Sequence, residues 1–348
     1  MTSSKTDKLD AVWLAKLTER GMLRASFVPP APIRQLRDYT RLRYDLTRER
    51  TRYWNRLEKL LEDALIKISS VASTLETHST RLMIEALIAG QRNPQVLADL
   101  ALGPMRRKRA ALIEALNGRF DQHHAELARM LLSNIDSLTN QIDTLSNRIQ
   151  ELIDQMQDSW GIDADGTTGP EAGKRQDAAV KPVTQRLDAI TGISRETAQT
   201  IIAEIGLDMT RFPTPAHLAS WARLTPKTIQ SGTRSRHGKA GKGNPYLKGI
   251  LGQAVAAAAN TQTFIGERYR RLARRTSTKK AIVAVSRSTL AIVWHLLADP
   301  TRTYQDLGVD FHNNQLNKTR QTRTHVRSLE HLGFKVTLEP ITPQPQTT

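Results

Sequence analysis

From Leu131 to Met156 the residues Leu131, Ile135, Leu138, Ile142, Leu145, Ile149, Leu152 and Met156 recur in alternating steps of four and three. That spacing holds one apolar stripe on one side of a helix and demands a facing helix along its length, as in a coiled-coil seam. A strand cannot carry it, because strand side chains alternate between faces with period two. An earlier stretch offers a partner: between Ile33 and Ser69, Leu42, Leu46, Tyr53, Leu57, Leu60, Ala64 and Ile68 also fall at helical spacing. The seam can close on that segment as an antiparallel hairpin or on a copy from another subunit, and the spacing allows both.

The flanking sequence extends this helical reading. "DKLDAVWLAKLTERGML" predicts a helix that opens at Asp7 and stops at Gly21, and Pro29, Pro30 and Pro32 separate it from the next. Residues 80–116 predict further helix, interrupted at "GQRNP" and "LGP". Beyond the seam, "DSWGIDADGTTGPEAGKRQDAAVKP" predicts a flexible linker and a domain boundary. "RLDAITGISRETAQTIIAEIG" then predicts two short helices joined at "TGIS", and residues 246–260 an Ala-rich helix. Near the end, "RTHVRSLEHLGFKVTLEP" predicts a helix and an extended segment, and "PITPQPQTT" a disordered tail.

Charge is distributed unevenly. The chain of 348 residues carries a net charge of +17, and between Met209 and Ala298 there are 16 Lys and Arg against one acid, Glu267. That window holds +15 of the total, which favours a polyanionic partner through counterion release from phosphates. A solvated basic face is the plainer alternative. Cysteine is absent, which excludes disulfides and thiolate chemistry and suits a cytoplasmic location. The apolar runs "AIVAV" and "TLAIVWHLLA" are short or interrupted, so no membrane span is expected.

Three groups of residues could carry function. Gly192, Ser194 and Arg195 sit at the turn of the two short helices. Such a turn resembles a helix-hairpin-helix, whose glycine lets backbone amides approach a DNA phosphate. The segment from Gln230 to Pro245, "QSGTRSRHGKAGKGNP", predicts an exposed basic loop carrying Ser231. Its cations Arg234, Arg236, Lys239 and Lys242, flanked by Lys227 and Lys248 and followed by Arg270, Arg271, Arg274 and Arg275, form the candidate nucleic-acid surface. A serine there has access and nearby cations for attack on phosphate, although most serines in basic loops only touch phosphate. Asp7 and Asp10, at i and i+3, lie on one helix face and can act as metal ligands or as ordinary first-turn acids. His123 and His124 read as polar surface residues. "GKAGKGNP" lacks the spacing of a nucleotide-binding phosphate loop.

"KTDKLDAVWLAKLTERGMLRASFVPP", "FPTPAHLASWARLTP", "GKGNPYLKGIL" and "KKAIVAVSRSTLAIVWHLL" together resemble the bacterial insertion-sequence transposases of the 110/116/902 family. "LEDALIKISSV", "EALIAGQRNPQVLADLA" and "TYQDLGVDF" carry the similarity over nearly the whole chain. The resemblance implies a mainly α chain: a remnant of an RNase H-like, RuvC-type α/β domain at 1–30 and a coiled-coil helical region at 31–158. A linker at 159–183 would lead to a serine transposase domain with its helix-hairpin-helix at 184–312, and a terminal segment at 313–348. It implies that Asp7 and Asp10 are the last two acids of an Asp-Glu-Asp-Asp site for Mg²⁺, and that Ser231 is a nucleophile forming a phosphoserine with DNA. Ser235 stays as a rival, since Ser-Gly-Thr-Arg departs from a common family form with one residue between serine and glycine. Element-end and target DNA, an element-encoded bridge RNA and further copies of the chain are the implied partners, on the bacterial nucleoid. In the family the other two acids lie upstream, on the RNase H-like sheet. Only six residues precede Asp7 here, so the chain is expected to be N-terminally truncated, binding nucleic acid without completing recombination alone. A non-catalytic nucleic-acid-binding protein derived from a transposase is the alternative.

Overall fold

Long amphipathic segments punctuated by proline and glycine produce a mainly helical protein. The computed structural model describes residues 7–22, 28–174, 176–231, 234–311 and 318–338, with the backbone alone at 228, 229, 231, 234–237, 239 and 318–321. The expected terminal tail, at 339–348, lies outside the described residues. Two compact units emerge: residues 1–152 with 202–206, and residues 153–201 with 207–348.

The first unit contains α1 (Asp7–Glu19), α2 (Ala31–Asp63), α3 (His78–Ile88), α4 (Pro94–Asp99), α5 (Arg109–Ala115) and most of α6 (Gln122–Asp154). Pro32 falls in the first turn of α2, where a missing N–H costs nothing. Thr77 and Asn93 cap α3 and α4 by accepting hydrogen bonds from Thr80 and Gln95 amides. Leu57, Leu61, Met83, Ile84, Leu87, Leu97, Leu112, Leu132 and Ile135 form one buried cluster.

Within this unit the seam of α6 closes on α2. Tyr39 bonds Arg148, Arg50 Nη1 donates to Thr139 Oγ1 at 3.3 Å, and Asp63 lies 3.4 Å from His124. Rising numbers on α2 meet falling numbers on α6, so the pair is antiparallel. Ile135, Leu138, Ile142, Ile149 and Leu152 are buried. His124, expected at the surface, is buried as well: its Nδ1 accepts the Asp121 amide at 3.2 Å, so the ring caps the start of α6.

A buried ion cluster completes the unit. Glu204 is fully buried and accepts two hydrogen bonds from Arg41, at 2.8 and 3.0 Å, while Arg37 Nε stands 3.2 Å from Glu204 Oε2. Arg37 also donates to the carbonyls of Ala203 and Glu204. Burial lowers the Arg37 pKa, and the Glu204 carboxylate works against that shift.

The second unit is organised around α12 (Thr278–Ala298), which packs against α7 (Val183–Asp188), α9 (Pro215–Trp221), α10 (Pro245–Ala258) and α11 (Phe264–Arg275). By length and composition α12 could cross a bilayer, but Ala281, Val285, Leu290 and Val293 are buried against protein. Trp294 Nε1 donates to the Phe212 carbonyl at 2.8 Å, and Arg186 donates to the Leu296 carbonyl, fastening the far end of α12. Residues 159–183, expected as a flexible linker, contain a small ribbon of β1 (Gly161–Ile162) and β2 (Thr168–Gly169), extended by a bridge from Ile162 to Val180. The extended segment expected after the last helix (Lys318–His331) forms no strand among the described residues.

Helices α7 and α8 (Arg195–Ile205) are joined by the expected tight turn. Gly192 sits there at φ +87°, and a Cβ on it would lie 2.1 Å from the Ala254 carbonyl oxygen of α10. Positive φ and a backbone neighbour that cannot yield both require glycine. Gly192→Ala is therefore expected to destabilise the protein by roughly 3 kcal/mol, read as a shift in the urea midpoint. A shift equivalent to less than about 0.5 kcal/mol, the range of ordinary surface substitutions, would contradict this packing.

Candidate nucleic-acid interface and serine site

The Gln230–Pro245 segment is not the expected loop over most of its length. β3 (Pro226–Ser231) and β4 (Arg234–Ala240) pair as an antiparallel ribbon, with Thr228 opposite His237, Ile229 opposite Arg236, Gln230 opposite Ser235 and Ser231 opposite Arg234. The reason is legible afterwards: β-branched Thr228 and Ile229 suit an extended backbone, and only two residues separate the strands in sequence. Residues 232 and 233 themselves lie outside the described residues. By strand alternation, positions 229, 231, 234 and 236 belong to one face of the ribbon, and 228, 230, 235 and 237 to the other.

The ribbon is anchored at both ends. On the β3 side, α9 is capped by Thr214, buries Leu218 and Ala219, and is followed by Arg223 at φ 56°. On the β4 side, Asn244 Oδ1 accepts from the amides of Tyr246 and Leu247 at 3.0 and 3.1 Å, starting α10 at Pro245. Lys248 reaches back to donate to the Gly241 carbonyl at 2.7 Å. Burial and the neighbouring Arg223 lower the Lys248 pKa.

The candidate cations divide by environment. Lys227, Lys242, Arg274 and Arg275 are exposed, as are Ser194 and Arg195 at the α7–α8 turn. Ser194 caps α8, accepting from the Thr197 amide at 3.3 Å and donating to Glu196 at 2.8 Å. Arg270 is used internally: it pairs with Glu267 at 3.1 Å and donates to the carbonyls of Ala259 and Thr261 at 3.0 and 2.8 Å. Arg271 has a buried Nε that finds no acceptor among the described residues. The side chains of Ser231, Arg234, Ser235, Arg236 and Lys239 lie outside the described residues.

A feature that sequence reading missed lies beside the ribbon. A cavity of about 820 Å³ is lined by α9, α11, α12 and the ribbon, with Arg268, Lys279, Lys280 and Arg287 among its lining residues. Its signal was present on α12: Lys280, Ala284, Arg287, Ser288 and Ala291 follow one helical stripe, too small in its centre to fill the space before it.

The metal expectation fares differently. Asp7 and Asp10 are both exposed on α1, a helix with no buried residue, and no cluster of three ligand side chains among the described residues includes them. Two such carboxylates do not make an Mg²⁺ site, because that ion needs near-octahedral oxygen ligation to give up its waters. The purified chain is expected to bind Mg²⁺ with a dissociation constant on the order of millimolar or weaker, measured by titration calorimetry. Micromolar binding lost in Asp7→Asn would show that this chain holds the missing ligands. The ligand atoms of Asp121, His123 and His124 do converge within 4.8 Å. They lie at the start of α6, however, where the helix dipole opposes a cation and His124 Nδ1 is already an acceptor.

Comparison with known proteins places these features. Residues 184–270, which run from α7 into α11 and include the ribbon, match the model described as transposase of the IS116/IS110/IS902 family. Residues 1–66, covering α1 and α2, match a second transposase model, that of IS110 DEDD transposases. A 123-residue stretch is 33% identical to the insertion element IS110 uncharacterized 43.6 kDa protein of Streptomyces coelicolor, spanning 34% of this chain and 30% of that relative. One model thus falls on the helix that bears the paired aspartates and the other on the ribbon that bears Ser231, and both are models of insertion-sequence transposases of the IS110/IS116/IS902 type, to which these two segments of the chain are similar.

Proposed function

We propose that the chain is a DNA transposase that cuts and rejoins element DNA through a covalent intermediate on Ser231. The observation that carries this reading is the position of Ser231: it ends β3 directly opposite Arg234, beside a two-residue connection, on a ribbon anchored by capped helices. The ribbon sits within the segment that holds nearly all of the net positive charge. Ser231 Oγ would bond to phosphorus as one phosphorus–deoxyribose oxygen bond breaks, the serine giving up its proton and the departing oxygen gaining one. A strand hydroxyl attacking the phosphoserine would reverse the exchange and release the serine. One phosphoester replaces another at each step, so no nucleotide hydrolysis is required. Arg234 and Arg236, at ribbon positions on the same face as 231, would offset charge building on the phosphoryl oxygens. Ser235 occupies the other face, which favours Ser231 over its rival.

Asp7 and Asp10 would contribute two ligands to an acidic Mg²⁺ site of RNase H-like type that takes its remaining ligands from elsewhere. The α7–α8 turn, with Gly192 at positive φ and exposed Ser194 and Arg195, would serve as a helix-hairpin-helix contacting DNA phosphate. Element-end and target DNA, an element-encoded bridge RNA and other copies of the chain are the proposed partners. The alternative of a non-catalytic nucleic-acid binder is favoured by the exposed, unsupported aspartates.

The test is made in cells carrying the element. Chain recovered under denaturing conditions is digested with nuclease and protease, and the peptide bearing Ser231 is weighed. A nucleotide mass on Ser231 is expected. Free DNA binding with no nucleotide on any serine would overturn the enzyme reading in favour of the binding one.

A further inference from the structure

The cavity beside the ribbon combines two chemistries that seldom meet without a ligand. Ala219, Leu224, Val283, Ala284 and Ala291 give it apolar walls, and its volume of about 820 Å³ lies in the range of small-molecule sites. Arg268, Lys279, Lys280 and Arg287 line it too, with no carboxylate among the lining residues. Glu267, the one acid between Met209 and Ala298, is engaged with Arg270. Arg268 Nε is buried without an acceptor among the described residues, and burial together with Arg271 and Arg287 pushes its pKa down. A guanidinium stays charged under such pressure, so a buried donor of this kind calls for an anion.

An apolar recess edged by four cations fits a ligand that is flat and apolar at one end and anionic at the other. We infer that this cavity receives one unpaired nucleotide of a nucleic-acid strand, with the base against the Ala219–Val283–Ala284 wall and its phosphate at Arg268 and Arg287. The inference rests on the transposase reading, and it adds what that reading lacks: a place for a base displaced from its duplex next to the serine ribbon, whose Gly238 and Ala240 line the same cavity. A phosphate surface alone would need no recess, and an apolar core cavity would not collect cations. Unstacking a nucleotide opposes its entry, and an apolar recess with a paired phosphate offsets that cost.

The experiment uses the whole purified chain and a short labelled duplex with one central unpaired thymidine, compared with the same duplex carrying an abasic residue at that position. Fluorescence anisotropy is expected to show roughly tenfold tighter binding when the base is present. Ala284→Phe, which fills the recess, should bring the two duplexes to the same affinity while leaving the abasic one unchanged. Arg287→Gln should weaken both. An unpaired 2-aminopurine in place of thymidine gives a readout on the unmodified protein, since its emission shifts as the base leaves water. Equal affinity for base and abasic duplexes on the unmodified chain, with no emission change, would overturn the nucleotide pocket while leaving phosphate binding and the transposase reading in place. Failure to bind either duplex would instead count against the transposase reading itself. Displacement by a peptide rich in Leu and Asp, without discrimination between the duplexes, would assign the recess to a protein partner and overturn the proposal.

Discussion

Replacing Ser231 with alanine is expected to abolish the covalent DNA adduct, lowering its yield at least about a thousand-fold, as removal of a nucleophile does elsewhere. The change removes the hydroxyl alone. Ser231 pairs with Arg234 through the main chain, so alanine keeps the ribbon, and no cation is lost from the proposed phosphate surface. DNA affinity should therefore stay within about twofold, because binding is set by phosphate contacts and their released counterions. Ser235→Ala should keep the adduct, since position 235 belongs to the opposite ribbon face from 231 and 234. Adduct surviving Ser231→Ala and vanishing in Ser235→Ala would move the nucleophile to the rival serine.

The second large effect concerns stability. Glu204→Gln is expected to cost about 3–5 kcal/mol, seen as a lower urea midpoint with far-UV circular dichroism retained before the transition. The carboxylate is fully buried and holds Arg41 through two hydrogen bonds, with Arg37 close to one of its oxygens. A glutamine of the same shape removes the buried negative charge that both guanidinium groups face, while Arg37 keeps only the weaker influence of Asp38. Removing the charges together should be milder: Arg41→Met combined with Glu204→Gln should recover part of the loss, because a partly buried cation is deleted along with the anion that paired it. A loss below about 1 kcal/mol for Glu204→Gln would place the pair among ordinary surface bridges.

Much of the helical layout was readable in advance because helices announce themselves locally. Leu57, Ile135, Leu138 and Ile142 are buried where their spacing put them, and the breaks at "GQRNP" and "LGP" separate α3, α4 and α5 as expected. The α7–α8 turn was equally local, resting on one glycine, and α10 begins at Pro245, one residue before the expected start at Tyr246. The ribbon was read as a loop because a strand pair lacks a period of its own in so polar a stretch. "QSGTRSRHGKA" offers little alternation of apolar and polar residues, and its order depends on cross-strand partners. The serine could be picked out from its sequence surroundings, but its setting opposite Arg234 could not. His124 was misjudged for a similar reason. Its polarity argued for the surface, while its acceptor nitrogen was wanted by the Asp121 amide at a helix start.

By itself the sequence determined the quantities that are sums or short periods: the mainly helical content, the segregation of charge into one window, the turn glycine and the positions of Asp7, Asp10 and Ser231. Tertiary structure alone decided how distant segments use one another. It closed the α6 seam on α2 in antiparallel order, turned Arg270 and Lys248 inward to hold turns, set Gly192 against the Ala254 carbonyl, and opened a cation-edged cavity before α12. The physical reason is that periodicity and composition are carried by neighbouring residues. Burial, hydrogen-bond partners and empty space depend instead on which residues distant in the chain come to lie side by side.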